Sequence, residues 1–121
     1  MKEQRFRKLE VWNKAMTFVE EIYRITSKFP AKEMYGLTSQ LRRSAVSIAL
    51  NIAEGSGTDS DREFKRFLII SLRSSYETMC GIEIANRLRY CSDKENVKLV
   101  NKCDELSAML SGFIKKLKAD S

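Results

Sequence analysis

Apolar residues recur at three- and four-residue steps along most of the chain, and three short breaks divide that pattern into four stretches. In the first, about residues 8–29, Leu9, Trp12, Met16, Val19, Tyr23 and Phe29 recur mostly at helical steps and predict one apolar stripe. Lys14, Glu20, Glu21 and Arg24 lie largely off it. Pro30 ends this helix, because the residue before a proline is pushed out of the α region. In the second, about residues 32–54, Leu37, Leu41, Ala45, Ile48 and Ile52 fall within one arc of about 80° when placed at 100° per residue. Val46, Ala49, Leu50 and Ala53 fill a second arc beside it, and Gln40, Arg43, Ser44, Ser47, Asn51 and Glu54 keep the polar sector. Gly55 is the predicted stop, since glycine takes the left-handed conformation at C′ without strain.

The third stretch, about residues 61–89, opens on Ser60-Asp61-Arg62-Glu63, which reads as a capping box. Phe64, Phe67, Leu68, Ser71, Thr78, Ile82, Ala85 and Leu88 mark its inner face, and the small Ser71, Ser74 and Ser75 permit close helix approach. The fourth, about residues 93–118, opens on a second box, Ser92-Asp93-Lys94-Glu95. Leu99, Cys103, Leu106, Leu110, Phe113 and Leu117 then alternate by four and three, an a/d seam. Lys115, Lys116 and Lys118 sit in the last turn, where cations suit the negative helix end. Four helices of similar length with short connections predict an all-α fold, an antiparallel up-down-up-down four-helix bundle forming a single domain over residues 1–121. The second helix is too apolar for the outside of a small monomer, so Val46, Ala49, Leu50 and Ala53 are a candidate oligomer interface if that helix is not central.

Composition narrows the chemistry. One proline and five glycines are sparse punctuation for an all-β chain, and 43% apolar residues suffice for a core. No apolar run approaches the roughly 18 residues a membrane helix needs. The charged start MKEQRFRKLE lacks a signal-peptide core, so the expected compartment is the cytoplasm. The three cysteines, Cys80, Cys91 and Cys103, have no zinc-motif spacing and read as small buried hydrophobes. Histidine is absent, which removes the commonest general base and metal ligand. Gly55-Ser56-Gly57 is too short for a phosphate loop and follows a helix where such a loop follows a strand. The chain is therefore expected to be no enzyme, with no metal and no cofactor.

The net charge of +6 fits a polyanion partner. Candidate phosphate contacts are Arg5, Arg7, Lys8, Arg62, Lys65 and Arg66 as a basic rim, with Lys115, Lys116 and Lys118 as a second cluster. Arg42 and Arg43 are further candidates, the competing reading being ion pairs with Glu77 or Glu83. Tyr35, Tyr76 and Tyr90 read as bundle packing with a wet hydroxyl before base-stacking platforms. Asn51, Glu54 and Gly55 close the second helix; Asn51 and Glu54 either bond a neighbouring helix or subunit or form a recognition site. No base-reading motif is present, so any binding would be carried by phosphates.

Several blocks carry a family resemblance: Phe6, Leu9-Glu10-Val11-Trp12 and Ala15; Phe29-Pro30 and Glu33; Tyr35-Gly36-Leu37-Thr38-Ser39-Gln40-Leu41-Arg42-Arg43; Ser44-Ala45-Val46-Ser47-Ile48; Asn51-Ile52-Ala53-Glu54-Gly55; and Phe64, Arg66-Phe67-Leu68, Ser74 and Glu77. In these the chain resembles the bacterial four-helix bundle proteins also called 23S rRNA intervening-sequence proteins, over nearly its whole length. Ala49 departs from a frequent proline, and Arg73 from a usual glycine at a close-contact position. The resemblance implies a four-helix bundle assembling into a ring-like homopentamer, and genes lying within insertions in bacterial 23S rRNA genes. It also implies kinship with accessory proteins of diversity-generating retroelements, basic pentamers that bind reverse transcriptase and nucleic acid. The family has no known catalytic residues. Two readings of function stay open: a bundle binding RNA, DNA or an RNA-containing complex through a basic surface, or a scaffold whose ring binds reverse transcriptase or another protein without nucleic acid.

Overall fold

In the computed structural model, which describes residues 5–117, the 3-10 turn Arg5–Lys8 leads into α1 (Glu10–Thr26), and a second 3-10 turn, Ala31–Glu33, leads into α2 (Leu37–Ser56). After these come α3 (Asp61–Arg87) and α4 (Asp93–Lys116), with no strand among the described residues. Lys118, one of the candidate cations, lies outside them. α1 packs on α2 and α4, and α3 packs on α2 and α4, with no diagonal pairing. Neighbours are antiparallel. As α2 runs from Gln40 through Ser47 to Gly55, its α3 partners run back from Glu77 through Ser74 to Phe67. As the chain runs through Lys14 and Glu21 of α1 to Lys28 just past its end, α4 answers with Glu105, Lys102 and Glu95.

The α2–α3 seam is the most extensively packed, and small residues make that possible. Ser71 Oγ donates to the Ile48 carbonyl (2.8 Å), Thr78 Oγ1 to Ser44 Oγ (2.8 Å), and the Ser47 and Ser74 hydroxyls share a bond of 2.9 Å. The hydroxyls at Ser75 and Ser107 join α3 to α4 in the same way (2.9 Å). Each such bond spares a desolvated hydroxyl, so a polar seam costs little in the core. Ser44, assigned to a polar sector by the sequence, is buried for this reason.

Two helix starts show how local the capping signals are. Ser92 and Glu95 form the full reciprocal box: Glu95 N donates to Ser92 Oγ (3.1 Å) and Ser92 N to Glu95 Oε1 (2.9 Å). Ser60 Oγ accepts from Glu63 N (3.1 Å), but the Glu63 carboxylate turns to Arg66, so only half of that box forms. α2 begins at Leu37, five residues later than the periodicity predicts. Glu33 caps it instead, accepting from Leu37 N (3.1 Å) and from the Tyr90 hydroxyl (2.9 Å). The Leu37 N–H first, then the Tyr90 hydroxyl, hold the Glu33 carboxyl below its usual range.

Four sequence expectations are corrected. The core face of α1 is Val11, Ala15, Phe18, Ile22 and Ile25, while Met16 and Tyr23 of the expected stripe are exposed. Both arcs are apolar, and the positions of α2 and α4 choose between them. Gly55 is no left-handed stop: α2 continues to Ser56, and no described glycine has positive φ. Gly55 is buried against α3, where a Cβ would stand 2.7 Å from Phe67 Cβ and 2.9 Å from Phe64 Cδ1. Leu88 is exposed because α3 closes at Arg87, with Arg89 in the left-handed region (φ 65°) and Tyr90 N bonded to the Ala85 carbonyl at 2.9 Å. Cys91 and Cys103 are buried, but Cys80 is exposed. Burial pushes the Cys103 thiol up to about 12.

Candidate nucleic-acid interface

The turn Arg5–Lys8 is seated by aromatic contacts. Phe6 meets Trp12 edge-on at 4.8 Å between ring centroids, and Asn13 Nδ2 donates to the Arg7 and Leu9 carbonyls (3.1 and 3.0 Å). The Arg5 guanidinium lies 5.1 Å from the centroid of Phe64, in the first turns of α3. Phe64 in turn meets Phe113, near the end of α4, at 5.1 Å and 66°. Three segments far apart in sequence therefore meet at one end of the bundle. They bring Arg5, Arg7 and Lys8, then Arg62, Lys65 and Arg66, then Lys115 and Lys116 to that end. Among the described residues of these segments and the adjoining helix ends the acids are Glu10, Glu54, Asp59, Asp61 and Glu63, fewer than the cations.

These cations are not equivalent. Arg66 is held by Glu63 (Nε to Oε2 2.9 Å, Nη2 to Oε1 3.4 Å) and lies over Phe67 at 4.5 Å. The hydrogen bond from Arg66 holds the Glu63 carboxyl below its usual range, and Arg66 is raised by the same bond. Arg62 is exposed and Lys65 half-buried, and neither makes an ion pair among the described residues. Arg7, Lys8, Lys115 and Lys116 are exposed.

Arg42 and Arg43 do not join this group. They lie nearer the other end of α2, about 20 Å from its last turn at 1.5 Å per residue. Nor does Arg42 pair with Glu77 or Glu83. Its Nε donates to Thr26 Oγ1 (2.8 Å) and its guanidinium lies 4.6 Å from the Tyr23 centroid, while Glu77 accepts from Gln40 (2.5 Å). Arg43 is exposed. Asn51 bonds within its own helix, to the Ser47 carbonyl and hydroxyl (2.8 and 3.0 Å), and reaches α3 only through the Ser47–Ser74 bond. Glu54 is exposed.

A family model described as 23S rRNA-intervening sequence protein matches residues 7–112. The chain belongs to that family. The match spans Arg7, Lys8 and the α3 cations of the basic end and stops short of Lys115 and Lys116. Among solved structures, this member of the 23S rRNA-intervening sequence family is similar to a protein of unknown function from the S23 ribosomal protein family of Bacteroides thetaiotaomicron VPI-5482. The two are 26% identical with a TM-score of 0.79, over 88% of this chain and 99% of the other. No curated protein matches it.

Of the oligomer residues expected in this intervening-sequence family member, Ala49 is withdrawn, because it is buried in the core of the single chain. α2 is wedged between α1 and α3, and that wide contact takes in part of its second arc. Val46 and Ala53 are half-buried, and Leu50 is 60% exposed. Among the described residues no group of three or more His, Cys, Asp or Glu is placed to hold a metal ion, and no helix is long and apolar enough to cross a membrane.

Proposed function

We propose that this chain is a non-enzymatic, oligomeric bundle of the cytoplasm that binds RNA or an RNA-containing complex through the basic end built on Phe64. The observation that supports this reading most is the meeting of Arg5–Lys8, Arg62–Arg66 and Lys115–Lys116 at one end, with Arg62 and Lys65 in no ion pair among the described residues. The family's description, which names 23S rRNA, points the same way. The three cysteines are free, which suits a reducing compartment.

Anisotropy titrations of labelled structured RNA, single-stranded RNA and duplex DNA at two salt concentrations test it. Affinity is expected to fall by about 0.7–0.9 log units per phosphate contact per log unit of salt. Arg62→Glu combined with Lys65→Glu should weaken binding to all probes by about tenfold or more and flatten the salt slope by about one to two units. No binding by micromolar protein at about 50 mM salt, where phosphate contacts are strong, overturns the reading.

Self-association rests on Leu50, flanked by Val46 and Ala53, with Met16 exposed on the adjoining α1. Light scattering should give a multiple of the 14.0 kDa chain, the homopentamer being the family's implied state. Leu50→Asp should split that assembly without unfolding the bundle, since an unpaired buried carboxylate is costly only where the copies meet. A mass of one chain at micromolar concentration would refute self-association. A second reading, a scaffold that binds a partner protein without nucleic acid, is favoured by Ile84, Leu88 and Val97, apolar yet exposed around the α3–α4 connection.

A further inference from the structure

At the end of the bundle opposite the basic end, the N-terminal half of α2 and the segment before it form a groove with Tyr23 of α1. Tyr23, Met34, Tyr35, Arg42, Arg43 and Val46 line it. Three features mark it as more than a seam between helices. Tyr35 is 97% exposed, and Met34 and Tyr23 are 48% and 42% exposed, so these side chains serve no core. Arg42 is a fixed cation: Thr26 Oγ1 holds its Nε at 2.8 Å and the Tyr23 ring lies under its guanidinium at 4.6 Å. No carboxylate lines the groove, and Arg43 makes no ion pair among the described residues.

An open aromatic ring and two guanidiniums lining one groove, with no carboxylate among the lining residues, select an occupant that has flat apolar faces and negative charge at short intervals. A single nucleic-acid strand has both, since every base offers a face to stack and every link a phosphate. A duplex does not, because its bases are already stacked on one another. We infer that this groove is a second nucleic-acid site, selective for single strands, in which a base stacks on Tyr35 and the neighbouring phosphates meet Arg42 and Arg43. The inference rests on the nucleic-acid reading proposed above and adds strand selectivity to it. The groove and the self-association face meet at Val46, which lines the groove and flanks Leu50.

The test uses the full chain and two labelled probes of about ten nucleotides, within the span of known single-strand sites: a uridine-rich single-stranded RNA and an RNA duplex of equal length. Tyr35→Ala should weaken binding to the single strand by about tenfold, the loss of one stacked base, and leave the duplex unchanged. Tyr35→Phe, which keeps the ring, should restore it, and Arg43→Gln should weaken the single strand more than the duplex. The Arg62→Glu, Lys65→Glu variant is titrated alongside. If that variant loses binding while Tyr35→Ala matches the parent, the groove site is wrong and the basic end stands. If the parent binds neither probe, both fall. Equal losses on both probes with Tyr35→Ala, or a change in its mass by light scattering, overturn the single-strand site in favour of an electrostatic patch or a contact between copies.

Discussion

Phe64→Ala is expected to lower the unfolding free energy by roughly 3–5 kcal/mol, the range for removing a buried phenylalanine from a packed core. Phe64 is 1% exposed, and its ring meets Phe113 at 5.1 Å and stands next to the bare Cα of Gly55. Four segments converge on it: the last turns of α2, the first of α3, the end of α4 and the turn carrying Arg5. None of these can fill the space, because each is held by its own helix or by the Phe6–Trp12 contact. Urea unfolding followed by far-ultraviolet circular dichroism measures the loss. A change below about 1 kcal/mol would mean the cavity collapses and Phe64 is no keystone. Phe67→Ala, at a half-buried neighbour, should cost less. In Phe64→Ala the Arg5 guanidinium also loses the ring it lies over, so nucleic-acid affinity should fall along with stability.

Glycine-to-alanine changes at two helical positions should have opposite signs. Helix propensity alone favours alanine by about 0.5–1 kcal/mol in a helix interior. At Gly112, exposed within α4 with nothing within 4 Å of a new Cβ, that gain should appear in full. At Gly55 it should be overrun. The new Cβ would stand 2.7 Å from Phe67 Cβ and 3.3 Å from the Phe64 carbonyl oxygen, and neither atom moves without α3. The expected net loss is about 1–3 kcal/mol for Gly55→Ala, the usual cost of overpacking, and more for Gly55→Val, whose branched Cβ adds methyls in the same gap. Equal effects at Gly55 and Gly112 would show that α2 and α3 can part freely. Gly81, whose Cβ would meet the flexible end of Leu41 at 2.7 Å, should fall between them.

The features legible in the amino-acid order alone are local ones. The number of helices, the break at Phe29-Pro30, the starts after Ser60 and Ser92, and the inward seam Leu99, Cys103, Leu106, Leu110 all follow from spacing and capping within a few residues. A helix satisfies its backbone bonds within four residues, so its presence and ends are written in its own neighbourhood. Close helix approach along α3 was legible as well, in Ser71, Ser74 and Ser75, but only the packing shows that Ser71 and Ser74 meet α2 while Ser75 meets α4. The features that emerge only on folding depend on partners far along the chain. α1 carries two apolar arcs, and the helices it meets choose Val11, Ala15, Phe18 and Ile22 over Met16 and Tyr23. Gly55 looks like a stop in its own sequence and is a contact only because Phe67 arrives opposite it. The candidate site divides the same way. Each basic cluster was visible, but Phe64 and Phe113 join three of them at one end, while the register of α2 carries Arg42 and Arg43 away toward Tyr35. Register between antiparallel helices is set by which side chains interlock across the seam, and a 3.6-residue period repeats every turn without saying which turn faces which.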